Sequence, residues 1–364
     1  MRIKYTFFML LLLGLSNVAM AAALPPSSKP DNFCNLAKPC KKGRPLVYPG
    51  SYAAWHYQRP WFYLSFGVGA YHLSNPTVNI GSVTGTTTPL ASISNDGFTP
   101  IYNLSLSYPF YSEYNPIFGH YNDIMFKVSY FNKTDNKTNN LTGTGEVWYI
   151  NGGGRFGLPK PLYNYTLKAQ HQLIDTGLFY RSIALATELS TFTMHPRVGL
   201  IFTNYQGKYN YTLSYNAGAY TTNDVETYKV KTNYYGVAGG GQLAFHPASQ
   251  ILLYGDVEVQ LLHAVSNLRA TQQVDTAAGT PIVSVNENKT KSLTYRAIAS
   301  IGSKFYFAPR ANSVSLDAKV GLDRFGYNPR VVPPSRANTG RRIYLEGTSR
   351  NNFFAMLNLT VPIG

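Results

Sequence analysis

His72 and Ser74 stand two residues apart, so in an extended segment they share one face. A histidine beside a serine can take its proton and activate it for acyl transfer. No carboxylate lies near them in sequence to orient the imidazole. His263 and Ser266 are three apart, which sets them on opposite faces of a strand. His195 and His246 each precede a proline, and His120 is close to a turn, so these three read as structural. The chain offers no His, Cys, Asp and Glu set at ligand spacing, and neither a metal nor a cofactor is expected.

A second group of residues could do electrostatic work. In Val314-Ser-Leu-Asp-Ala-Lys-Val-Gly-Leu322, apolar side chains alternate with Ser315, Asp317, Lys319 and Gly321. A strand with this period has one apolar and one polar face. The same alternation recurs along the chain. It collects Asp123, Glu188, Asp256, Glu258 and Asp317, with Lys127, Arg197, Arg296, Lys304 and Lys319, on the polar parity. Five acids against five bases predict an interior cross-linked by ion pairs; a ring of one sign would predict an ion-selective pore.

The first 23 residues have the form of a secretory signal. Arg2 and Lys4 precede the apolar run Phe7 to Leu15, and Ala19-Met-Ala21 or Ala21-Ala-Ala23 supplies the cleavage site, after Ala21 or Ala23. Removing Arg2 and Lys4 lowers the formal charge from +15 to about +13. Residues 24–58 are too few and too Pro-rich for a core and read as a periplasmic extension. Cys34 and Cys40, the only cysteines, are expected to form a local disulfide there. No later apolar run is long enough for a membrane helix, so a membrane protein of this sequence has to be a closed barrel.

Four Pro-containing corners punctuate residues 59–364: Tyr108-Pro-Phe, Met194-His-Pro196, Phe245-His-Pro247 and Phe307-Ala-Pro309. Between them lie five long segments rich in Asn, Thr, Gly and Lys, near 74–97, 132–175, 204–232, 270–290 and 328–349. Short turns alternating with long loops predict ten strands, with eight or twelve as alternatives; Glu146 to Ile150 and Tyr163 to Leu167 would supply the extra pair. The fourth strand is expected at about 178–194. Aromatics near strand ends, among them Trp61, Tyr108, Tyr235, Phe305 and Phe353, suit two membrane girdles.

Signal, alternating strands, Pro turns and polar loops together resemble the outer-membrane β-barrel proteins of Gram-negative bacteria. The resemblance covers about residues 59–364 and implies an all-β, up-and-down transmembrane barrel in the outer membrane, inserted by the barrel assembly machinery. Such barrels usually end on an aromatic residue, whereas this chain ends Val361-Pro-Ile-Gly364. His72-Leu-Ser74-Asn75 also looks like the His-x-Ser-Asn motif of outer-membrane lipid A deacylases, where that motif lies well along the chain and a carboxylate orients the histidine. The paired Asp and His–Asp arrangement of omptin-type proteases is not assembled by this sequence.

A ten-stranded barrel is only slightly wider than the eight-stranded kind whose side chains fill it, so a largely plugged lumen is expected. The excess positive charge then lies outside. Arg330, Arg336, Arg341 and Arg342 crowd the last loop, and Lys133, Lys137, Arg155, Lys160 and Lys168 the second. Such a surface suits lipopolysaccharide phosphates or acidic glycans. Scattered loop cations without a recognition motif, behind an export signal, exclude nucleic acid. The expected role is non-enzymatic, structural or adhesive; a narrow porin-like channel and a lipid A hydrolase are the competing readings.

Overall fold

Ten long strands rich in Val, Leu, Tyr, Phe and Thr, residue types that suit a pleated wall, close into one antiparallel barrel. In chain order they are β1 (Phe62–Leu73), β5 (Gly97–Tyr111), β6 (Tyr121–Leu141), β9 (Tyr163–Ile183), β10 (Phe192–Ala217), β11 (Tyr220–Ala248), β12 (Ile251–Val274), β13 (Ile282–Tyr306), β14 (Ser315–Val332) and β15 (Tyr344–Ile363). Each pairs with its neighbour in this order, and β1 meets β15 to close the seam, Phe62 opposite Ile363 and Val68 opposite Leu357. The computed structural model describes residues 61–364 apart from 75–76, 95, 112–120, 142–144, 159–162, 184–191, 218–219, 249, 276–278, 309–312 and 337–339. The signal, the Cys34 and Cys40 extension, His120, Lys160, Glu188 and Pro309 therefore lie outside the described residues.

Five short strands belong to the connections between barrel strands: β2 (Val78–Ile80), β3 (Ser82–Val83), β4 (Ala91–Ile93), β7 (Gly145–Trp148) and β8 (Arg155–Leu158). β2 pairs with β4, and β3, β7 and β8 form a three-stranded sheet. Glu146 to Trp148 are thus part of this small sheet, while Tyr163 to Leu167 open β9, so the wall has ten strands.

The wall is taller than the sequence predicts. A strand needs about ten residues to cross a bilayer, yet β10 and β11 have 26 and 29. Most of 132–175, 204–232 and 270–290, expected as loop, is strand that carries the wall past the membrane. The cause is a reversal of the apolar parity. Low on β10, Val198, Leu200 and Phe202 face outward and are exposed; further along, Tyr205, Tyr209, Tyr211 and Leu213 face inward and are buried. β12 repeats it, with Val257, Val259 and Leu261 outward, then Leu262, Ala264, Leu268 and Ala270 inward. In lipid the apolar face must point out; above lipid it must point in.

Met194-His195-Pro196 is also not a corner. It lies within β10, Pro196 opposite Gly241. The register with β9 begins only at Arg197, so the missing proline N–H falls where β10 has no β9 partner.

Candidate functional site

Three ion-pair clusters brace the lumen within the membrane band. Arg181 on β9 pairs with Asp123 on β6, which also accepts from Ser107 at 2.9 Å. Arg197 on β10 grips Asp256 through two nitrogens at 2.6 Å each and Glu258 at 2.8 Å, both acids on β12. Arg296 on β13 spans the barrel, donating to Asp323 on β14 through two nitrogens at 2.8 Å and to Asp175 on β9 at 2.8 Å. Its guanidinium lies 4.4 Å from the Phe325 ring centre, and Arg350 covers the same ring at 4.6 Å. Tyr71 donates to Asp323 at 2.8 Å and Thr203 to Asp175 at 2.6 Å, so both buried carboxylates are saturated with donors.

From the Arg296 cluster toward the chain ends runs a cavity of about 330 Å³, which Tyr71, Phe131, Leu173 and Phe179 also line. Asp123, Lys127, Arg197, Asp256, Glu258, Arg296, Lys304, Asp317 and Lys319 all line it, with Asp175, Arg181 and Asp323. Asp317 accepts from Tyr254 at 2.6 Å and from Asn358 at 3.2 Å. Above the cluster the lumen turns apolar: Tyr71, Phe131, Leu173, Phe179, Tyr205, Tyr234 and Phe325 pack into one layer.

The outer end is filled by a folded cap. Val78, Ile80, Leu90 and Ile93 from the first connection, Val147 and Ile150 from the second, and Ile343 from the last pack on the inward side chains of the raised wall, Val331 and Leu345 among them. Two connections meet at Gly152. With its φ of 78° and a would-be Cβ only 3.0 Å from the Gly340 carbonyl, any other residue there would be strained. Two further carboxyls are buried in this raised part, on β11. Glu226 accepts from Gln272 at 2.9 Å, and Gln272 in turn accepts from the Ile150 amide at 3.0 Å. Burial raises the Asp224 carboxyl to about 7. Burial, then the nearby Asp224 charge, holds Glu226 well above the usual carboxylate range.

His72 faces outward, edge-on to the rings of Phe98 and Phe353 at 5.0 and 6.2 Å. Ser74 is held through its backbone N–H, which donates to Asn352 at 3.0 Å. Among the described residues no carboxylate contacts His72, so the geometry does not favour a hydrolytic pair. Of the last-loop arginines, Arg330 and Arg336 lie 3.7 Å from Glu346 and Glu146, while Arg341 and Arg342 are exposed. Sequence reasoning missed Asp175 and Arg181, and it did not place Asp323, the partner of Arg296, in the lumen. The available signal was the odd parity Asp175, Gly177, Phe179, Arg181 opposed to the outward Leu178 and Tyr180.

An antiparallel barrel of ten strands with an exposed apolar band and a braced polar lumen is a transmembrane β-barrel, the architecture of Gram-negative outer-membrane proteins. Solved structures similar to it are barrels of that kind. The outer membrane protease OmpT of Escherichia coli matches with a TM-score of 0.42 and 8% identity, covering 82% of this chain and 96% of its own. A deletion mutant of TodX, the monoaromatic hydrocarbon channel, gives 0.29 and 6% over 89% and 95%. A FadL homologue of Pseudomonas aeruginosa gives 0.22 and 10% over 88% and 96%. At these values the likeness is one of barrel architecture and transfers no activity. No protein-family model matches the chain, and no curated protein matches it.

Proposed function

We propose that this protein is a non-enzymatic surface protein of the outer membrane, with a plugged lumen and a basic outer surface that contacts lipopolysaccharide or acidic glycans. One observation carries the reading: the cap and the layer beneath it fill the outer half of the barrel with buried apolar side chains from three connections and the raised wall. A solute path through them would have to unpack that core, and each fully buried Leu, Ile or Phe side chain stabilises it by about 1.5–3 kcal/mol. The Arg296 cluster closes the next level down. The role then belongs to the outer surface, where Arg341 and Arg342 are exposed. Planar-bilayer recording of the purified full chain tests it: no steady single-channel steps are expected, and large steady steps would refute the plug.

A further inference from the structure

The outer faces of β10–β13 carry a concentration of charge that neither lumen nor cap uses. Phe202, Tyr235, His263 and Leu293 are register partners across these four strands. The rings of Phe202 and Tyr235 lie 5.2 Å apart on the outer wall, where the exposed apolar band ends. Beyond this row six outward positions are cationic, set among the neutral Gln206 and Asn267 and the acidic Glu287. Lys291 comes two residues past Leu293 and Lys289 four past; Lys231 comes four past Tyr235. Lys208, Lys229 and Arg269 come six past Phe202, Tyr235 and His263. All six are exposed, and all but Lys291 border a shallow groove.

Their arrangement costs the sheet stability. Lys229 stands directly opposite Lys208 on one side and Arg269 on the other. Like charges directly opposed across strands are destabilising. Arg269 has Glu287 at 3.7 Å, but the five lysines have no ion-pair partner among the described residues. At the spacings of a sheet the patch measures about 14 Å along the strands and about 14 Å across them. A surface that crowds unpaired cations at the rim of the apolar band gains its counter-charge from an anionic group held at that level. Phosphates on a lipid headgroup lie there, and lysine serves phosphate as a point charge at the end of an apolar stem.

We propose that this face of β10–β13 seats the phosphate groups of lipopolysaccharide in the surrounding leaflet. The proposal rests on the reading above that the basic exterior meets lipopolysaccharide, and it places the contact on the wall, away from the cap arginines. An acidic polymer in free solution would have no reason to meet its cations along the line where the aromatic row ends.

The test uses the purified full chain in detergent, titrated with lipopolysaccharide and, separately, with the same material after enzymatic removal of its phosphates. The fourfold variant Lys229→Gln, Lys231→Gln, Lys289→Gln and Lys291→Gln is expected to bind the phosphorylated form roughly 100-fold more weakly. The matching Lys→Arg variant should bind as the wild type does, which separates lost charge from lost fold. The wild type should bind the dephosphorylated form as weakly as the fourfold variant binds either. Arg341→Gln with Arg342→Gln should weaken binding far less than the fourfold variant does. Undiminished binding by the fourfold variant overturns the placement. If the Arg341 and Arg342 variant is then the one that weakens binding, the contact lies on the cap and the function proposed above stands. If the wild type does not distinguish the two forms, that function's lipopolysaccharide contact falls with the placement.

Discussion

Replacing Arg296 with methionine keeps much of the side-chain volume but removes the cation that pairs with both Asp175 and Asp323. The side chains of all three are almost inaccessible, at 6%, 10% and 2% relative exposure, so solvent screening offers little relief. Breaking a buried pair by removing one partner costs about 3–5 kcal/mol, because the other charge stays buried. Here two carboxylates are stranded, and the stacking on Phe325 is lost as well, worth about 0.5–2 kcal/mol. Against a typical total of about 5–15 kcal/mol, Arg296→Met should lose a third or more of the stability. The decisive comparison adds Asp175→Asn and Asp323→Asn. Neutralising the whole cluster should return the variant to within about 1–2 kcal/mol of wild type, since apolar or neutral replacements of buried ion clusters are often nearly neutral. Urea unfolding of the protein in detergent or lipid, followed by tryptophan fluorescence, reads both numbers. A single variant that loses under about 1 kcal/mol, or a triple variant as weak as the single, would refute the reasoning.

Titration of the Asp224 and Glu226 pair should loosen the cap from the alkaline side. Their folded pKa values are raised, so the protonated pair stabilises the fold at low pH, and that stability is lost as pH climbs above the usual carboxyl range and through the raised folded values. Fluorescence of the buried Trp148 should shift to the red over that window, and Asp224→Asn with Glu226→Gln should abolish the shift. Trp148→Ala should cost about 3–5 kcal/mol, concentrated in the cap, and appear as new protease cleavage near residues 142–162 with the wall intact. Gly321→Val should lower stability by about 1–3 kcal/mol in the same urea assay, because even its Cβ would sit 2.5 Å from the Phe354 ring. His72→Ala should leave the mass profile of lipid A unchanged in cells, and an altered profile would reopen the hydrolase reading.

The barrel class was legible because the membrane band imposes a strict alternation on nearly every strand, as Val314 to Leu322 shows. The lumen positions followed from the same parity wherever a segment was placed correctly, since the polar residue of each pair had only the interior to face. Asp175 and Arg181 escaped for a physical reason. On β9 the apolar residues Tyr165, Leu167 and Ala169 face in, whereas Leu178 faces out. A reader looking for one continuous phase therefore breaks the strand at the crossing point and takes the raised portion for loop. Tyr, Thr and Asn in that portion reinforce the error, because they are as common in loops as in a solvated wall. The cap was invisible for another reason: residues 78–93 pack with residues 331–345, and no local pattern records a contact across so much chain.

That separation has a consequence for how the molecule comes together in time. The Ile343 amide donates to the Ile150 carbonyl at 2.9 Å, the Arg336 amide to Ser82 at 3.4 Å, and the Arg336 guanidinium lies 3.7 Å from Glu146. The last connection, between β14 and β15, is thus what locks the first two. Contacts between such distant parts of the chain form late, after loop closure has brought their ends together. Until β15 has met β1, the apolar residues of the first two connections lack their final cover. Sealing of the outer mouth is therefore a report on the seam: a chain whose cap is protected from proteases is one whose wall has already closed.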